Sequence, residues 1–335
     1  MLSVTKRRVV ILASCSFLAF IIGCTITISL VSLDNCGETQ RTDVHKYLNT
    51  IYSSSFKSER KLLTVLILTS PVNINRRNVI RQTWLSLCNF TCSIRHYFVI
   101  GSNNLPREVD SSIQEEQLHH HDLLLLPNVV DNYTNLTHKV LEAYVWLDKI
   151  GTYEFVLKCD DDSFVQIDKI VLELQKLPQP KRQGLYWGFF NGKAHIKEKG
   201  KWRESSWVLC DYYLPYALGG GYILSQRLVH FIASNAQYLR LYNSEDVSVG
   251  VWLAPVADIN RQHDPRFDTE FVSRGCSNSY LITHKHDENA MMKMFSTLKK
   301  TGKLCIKEYK YRKSYIYNWN LPPSRCCMRN DSSIP

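Results

Sequence analysis

The stretch EFVLKCDDDSFV, Glu154 to Val165, decides how this chain folds. Phe155, Val156 and Leu157 form a short apolar run after Gly151, long enough for a buried strand and too short for a helix of its own. The run ends in Asp160, Asp161 and Asp162. Two ionised carboxylates about 4 Å apart repel by about 4 kcal/mol near a protein surface, so such a cluster calls for a divalent cation or a cationic ligand. In an extended segment Asp160 and Asp162 point to the same side. Ligands of open α/β sheets sit beyond the carboxyl ends of the strands, which is where this cluster falls, so it points to a metal-bound phosphate compound. The plainer alternative is a solvated acidic turn capping the helix that begins near Val165. Calcium-loop spacing with its central glycine is absent.

Upstream, strands and helices alternate. Leu62 to Leu68 reads as an apolar strand, Arg76 to Leu85 as a helix, Arg95 to Gly101 as a strand, Glu108 to His119 as a helix and Leu123 to Leu126 as a strand. Leu136, Val140, Tyr144 and Leu147 recur at helical spacing after a start signal at Asn132 or Thr134. The alternation predicts an α/β fold with a mostly parallel sheet covered by helices. No internal repeat is present.

The far N-terminus sets the compartment. Lys6, Arg7 and Arg8 precede a charge-free run of 25 residues, Val9 to Leu33, longer than the ~20 needed to span a bilayer and without a small-x-small cleavage site before Asp34. The chain is therefore expected to divide into a cytosolic tail (1–8), a transmembrane signal-anchor (9–33), a luminal stem (34–61) and a luminal folded domain (62–335), with a cleaved signal peptide as the alternative to the anchor. A luminal chain meets oxidising conditions, and nine of its 11 cysteines follow the span. Cys88 and Cys92 are spaced to close a small loop, whereas the neighbours Cys326 and Cys327 are expected to pair with two distant partners. Glycan acceptor sequons occur at Asn89, Asn132, Asn135 and Asn330. The net charge of +10 suits anionic partners such as a nucleotide, a membrane surface or an anionic glycan. Nucleic acid is not expected, because the basic residues are scattered and no zinc-finger spacing or Walker loop is present.

Several stretches surround the cluster with candidate site residues. Arg76, Arg77 and Arg81 lie on the helix after the first strand, where they can meet a nucleotide's phosphates or pair with local acids. Trp187, Trp202, Trp207, Tyr212, Tyr213 and Tyr216 offer faces on which sugar rings stack, unless they belong to the core. Gly219, Gly220 and Gly221 give a backbone that a ligand can approach closely, before a strand at Tyr222 to Leu224. Glu245 and Asp246 open a helix after Ser244; there they are caps, or Asp246 is a general base beside the glycines.

These residues resemble the inverting β-1,3-glycosyltransferases of the Golgi. The likeness is carried by RRNVIRQTW from Arg76, DNYTNLTHK from Asp131, VLKCDDDSFV, YALGGGYILS from Tyr216 and SEDVSVGVWL from Ser244, in the family's order. Further stretches, YWGFFNGK, KWRES, HDPRFDTE, RGCSNSYLITHK and PPSRCC, are similar to members that build the proteoglycan linkage region. The resemblance spans about Leu62 to Cys327.

What the resemblance implies is a GT-A fold, UDP-galactose as donor and manganese (Mn2+) as the ion. The acceptors would be xylosylated and galactosylated proteoglycan core proteins, met at the Golgi membrane by a single-pass type II protein. Carried onto this sequence, Asp162 and His284 would hold the metal. Arg77, Arg81, Lys139, Asp160 and Asp161 would bind the donor. Trp187, Tyr216, Gly220, Gly221 and Glu245 would bind the acceptor, with Asp246 as the catalytic base. Cys159 departs from the small residue the family commonly has before the triplet. Two rivals remain in view: a haloacid-dehalogenase-type phosphatase, which wants Thr or Val where Phe164 stands, and a non-catalytic sugar-binding membrane protein.

Overall fold

The computed structural model describes residues 60–88, 93–204, 207 and 209–335. The anchor, the stem up to residue 59, Asn89 and Cys92 lie outside the described residues, and the stem expected to run to Lys61 stops short of it, because Lys61 opens the first strand. Among the described residues, no helix is long and apolar enough to cross a membrane.

Seven strands form the central sheet, in the order β3-β2-β1-β4-β7-β6-β8. They are β1 (Lys61–Leu68), β2 (Ile94–Gly101), β3 (Leu123–Leu126), β4 (Tyr153–Asp160), β6 (Leu185–Asn191), β7 (Tyr216–Ser225) and β8 (Asn260–His263). Every neighbour pairing is parallel except the two made by β7, so six strands share one direction and β7 alone runs against them. The mostly parallel α/β sheet read from the alternation is present. Parallel central strands are buried on both faces, which is why they read as continuous apolar runs; Leu63, Val65, Ile67, Phe155, Val156 and Leu157 are fully buried.

The crossovers are α1 (Ile74–Gln82), α2 (Arg107–His120) and α3 (Leu136–Ile150), followed by α4 (Ile167–Lys176) and the short α5 (Gln179–Arg182). Beyond β7 come α6 (Gln226–Ser234), α7 (Glu245–Trp252) and α8 (Glu288–Thr301). Helix α3 starts two residues later than Thr134, because Tyr133–Asn135 form a 3-10 turn in which the Asn132 side chain accepts the Asn135 N–H. Its C-terminus is fixed by Gly151 at φ 63, whose N–H donates to Leu147 O. The first helix breaks at Thr83 into a 3-10 turn, Trp84–Leu87, and does not run on to Leu85.

Two pairings bring distant chain to the acidic end of β4. The register of β1 with β4 sets Leu68 beside Asp160, so the segment after β1 and the Asp triplet share one edge. A small second sheet joins β5 (Phe164–Val165), β11 (Ile282–Thr283) and β9 (Phe267–Asp268). Thr283 pairs with Phe164 there, and the His286 N–H donates to Asp162 O at 2.8 Å. Helix α7 comes close against β7 because Gly250 has no side chain; a Cβ there would meet Tyr216 Cβ at 2.5 Å.

Two expectations are corrected. The glycines Gly219–Gly221 do not precede the strand but lie inside β7, which begins at Tyr216. Cys326 and Cys327 are bonded to each other and not to distant partners, and Cys276 is bonded to Cys305. Among the described residues Cys159 is free and buried, and Cys210 is free and exposed.

Candidate active site

A cavity of about 600 Å³ opens at the carboxyl end of β4 and is lined by Asp160, Asp162, Glu245, Asp246 and His284. Each carboxylate of the triplet has its own surroundings. The Asp161 side chain turns away and accepts from Thr69 Oγ1 at 2.7 Å, Asn73 Nδ2 at 2.8 Å and Arg76 at 3.3 Å. It braces the segment after β1, and donor binding is not where its oxygens go. Asp160 and Asp162 both face His284, but not by strand alternation: β4 ends at Asp160, and Asp161 and Asp162 lie in a turn closed by the Ser163 N–H donating to Asp160 O at 3.2 Å.

The ligating atoms of Asp160, Asp162 and His284 all lie within 4.8 Å of one another. His284 Nε2 is 3.0 Å from Asp162 Oδ1 and 3.5 Å from Asp160 Oδ2. Burial lowers the His284 pKa, but the facing carboxylates outweigh it and hold the imidazole up at about 9. Asp162 Oδ1 and His284 Nδ1 are buried with no partner of hydrogen-bond geometry. Buried polar atoms are rarely left so, and two carboxylates with one imidazole make a donor set that a divalent first-row ion takes. The residues therefore fit a divalent metal. Gly220 is the residue that lets β7 pass beneath: a Cβ there would meet the His284 ring at 2.7 Å.

Asp246 sits at the start of α7. Its Oδ2 accepts the Gly219 N–H and its Oδ1 the Val247 N–H, both at 2.9 Å. Burial raises its pKa, with Lys158 and these two N–H groups opposing. A raised carboxylate pKa at a cavity wall is what a proton acceptor needs. Glu245 next to it also lines the cavity, but its oxygens turn inward, to the Lys158 ammonium and to the Tyr222 hydroxyl at 3.1 Å. Burial, opposed by Lys158, pushes it up to about 7. Its carboxylate is spent on the protein and not on an acceptor.

The three basic residues expected at the donor are elsewhere. Arg77 is fully buried, and its donors go to Glu116, Ser70 O and Pro71 O. Arg81 is held by Glu116, Asp122 and Asn78. The Lys139 ammonium donates to Thr69 O at 2.6 Å and Asp131 Oδ2 at 2.7 Å. None lines the cavity. Because breaking a buried ion pair leaves a charge without compensation, Arg77→Met should cost about 3 kcal/mol of stability and leave UDP affinity within about twofold. Denaturant unfolding and calorimetry check this; a selective loss of UDP binding at unchanged stability would return Arg77 to the donor site.

Trp187 is 1% exposed, packs edge-on to Phe267 and donates its N–H to Asp264 at 3.0 Å, so it is core and not an acceptor platform. Gly221 faces Ile282, where a Cβ would meet Cδ1 at 2.8 Å, and not the cavity. Tyr216 and Gly220 do line it. Trp202 and Tyr213 line it as well, while Trp207 packs against Tyr213 and Tyr212 against His195. Sequence reasoning missed Lys197, Lys201, Lys285 and Phe271 in the wall; Lys285 was visible as the residue after His284. The sequons Asn132 and Asn330 are exposed, whereas Asn135 is half-buried with its amide donating to Val130 O at 3.0 Å.

A mostly parallel sheet whose central strand ends in a metal-ready acidic cavity, with the half-buried carboxylate of Asp246 in the same wall, is an arrangement suited to glycosyl transfer. Residues 75–265 match the galactosyltransferase family model, and the chain belongs to that family. Beta-1,3-galactosyltransferase 6 of Mus musculus is 48% identical over 274 residues, covering 81% of this chain and 84% of its own length. UDP-GalNAc:beta-1,3-N-acetylgalactosaminyltransferase 2 of Danio rerio is 32% identical over 58% of this chain and 38% of its own length. Hydroxyproline O-galactosyltransferase GALT6 of Arabidopsis thaliana is 29% identical over 74% of this chain and 37% of its own.

Proposed function

We propose that this galactosyltransferase moves galactose from UDP-galactose, in β-1,3 linkage, onto the galactose of galactosyl-β-1,4-xylosyl-protein during assembly of the glycosaminoglycan linkage region. The observation that supports the chemistry is the sharing of one cavity by two devices: the cluster of Asp160, Asp162 and His284, and the carboxylate of Asp246. The acceptor assignment is supported by the 48% identity to the mouse β-1,3-galactosyltransferase and by the stretches around Trp187 and Tyr212 to Tyr222. The fold is read as GT-A, and the protein as a type II Golgi membrane protein anchored by Val9 to Leu33, with its catalytic domain in the lumen.

Asp162 and His284 would hold the ion, with Asp160 beside them reaching the ribose; manganese is the proposed ion. Bound there, it supplies positive charge against the diphosphate. The chain's own residues do the rest. Asp246 accepts the proton of the acceptor's 3-hydroxyl as that oxygen bonds to the anomeric carbon, while the bond to the UDP oxygen breaks on the opposite face. One displacement turns an α donor into a β product. The hydrogen bonds from Gly219 and Val247 fix the carboxylate's orientation without neutralising it.

A donor-by-acceptor matrix on the full-length chain tests this reading. UDP-galactose with a galactosyl-xyloside should exceed every other pairing by about tenfold or more in kcat/KM. Preference for an N-acetylhexosamine acceptor, or for UDP-N-acetylglucosamine, would overturn the linkage-region assignment and leave the transferase standing.

A further inference from the structure

Lys158 lies in the middle of β4 and is 1% exposed. An ammonium in the interior of a buried strand persists only if its three N–H donors are all taken. Here they are. Nζ donates to Asp160 Oδ1 at 2.9 Å, to Gly219 O at 2.7 Å and to Glu245 Oε1. Those three acceptors belong to three separate elements: the metal-side end of β4, the glycine run of β7 and the first turn of α7.

The same Gly219 whose carbonyl Lys158 holds gives its N–H to Asp246 Oδ2. Glu245, the neighbour of Asp246, is further fixed through the Tyr222 hydroxyl, which meets the Tyr144 hydroxyl at 3.0 Å. One cation thus sits between an Asp of the metal site and the carboxylate that takes the proton, bonded to the first directly and linked to the second through one residue, Gly219. Lys158 does not line the cavity, so it touches neither donor nor acceptor.

We propose that Lys158 is a positioning residue that locks the metal site and the proton-accepting helix into one register, so that loading of the ion and alignment of Asp246 depend on the same ammonium. This rests on the metal and base roles proposed above. A residue serving stability alone would move the melting temperature and leave kcat and the metal requirement of the folded enzyme unchanged.

The test uses the full-length chain as wild type, Lys158→Met, Glu245→Gln and the double variant, with folding followed by circular dichroism. The double variant removes both buried charges together and keeps the test open if Lys158→Met alone does not fold. Lys158→Met and the double variant should each lose about a hundredfold in kcat and need about tenfold more manganese for half-maximal activity, with acceptor KM within about threefold. Glu245→Gln alone should lose less than about tenfold in kcat, because Lys158 still holds Asp160 and Gly219. A folded double variant with kcat within about tenfold and manganese requirement within about threefold of wild type would overturn the proposal. Failure of both Lys158 variants to fold would overturn it too, by leaving the residue a stability role only. Calorimetry of UDP with and without manganese on the wild type separates the underlying reading: no metal-dependent binding there would remove the metal role itself, and this proposal with it.

Discussion

Replacing Asp246 by Asn is expected to lower kcat by about a thousandfold while UDP affinity stays within about threefold of wild type. The substitution preserves shape: the amide oxygen can still accept one of the two N–H groups, from Gly219 or Val247, that now hold the carboxylate. What it removes is the capacity to take a proton at a cavity wall where burial has raised the carboxylate's pKa. The Asp246 oxygens go to Gly219 and Val247 and not to Asp160, Asp162 or His284, so donor binding should be spared. Steady-state kinetics paired with calorimetry read both quantities. Turnover within about tenfold of wild type would rule Asp246 out as the base.

Removing a metal ligand should be as costly and should differ in kind. Asp162→Ala and His284→Ala are each expected to abolish measurable transfer and to weaken manganese-dependent UDP binding by about tenfold or more. Both side chains line the cavity, so neither loss opens a hole in the core. Asp162→Ala relieves the crowding of acids and should change the melting temperature little, whereas His284→Ala takes the imidazole from between Asp160 and Asp162 and should lower it more. The metal variants thus lose donor binding and the Asp246 variant keeps it. Unchanged UDP affinity with manganese in both Ala variants would overturn the metal assignment.

The parts of this molecule that were legible in its sequence are those fixed by local periodicity. The apolar run before Asp160 had to be a buried strand, whereas the turn that carries Asp162 round to Asp160's side is not the extended segment the alternation assumed. The position of Asp246 at a helix start beside the glycines was legible because it is a local pattern. Arg77 and Arg81 misled because their partner, Glu116, sits on another helix; a sequence shows a cation without showing which acid has claimed it. Trp187 misled for a related reason, since an aromatic in an apolar strand looks the same whether it faces sugar or Phe267. Glu245 resembles a substrate group only while its partner Lys158 is out of view. A signal for Lys158 did exist: a cation that directly follows the buried run Phe155–Leu157 within one strand must be paired. Gly220 and Gly250 were readable only as permissive positions, and it took the fold to show what each of them makes room for.

The pairing of Thr283 with Phe164 bears on how the enzyme comes to be made. Asp160 and Asp162 leave the ribosome about 120 residues before His284 does, and the matched family segment ends at residue 265, short of the histidine. A nascent chain can therefore complete most of the large sheet and still lack the third ligand. Only when the two-residue strand at Ile282 docks against Phe164–Val165 is the imidazole delivered to the waiting carboxylates. Competence to take up an ion is thus acquired late in biosynthesis, as one of the last events of maturation.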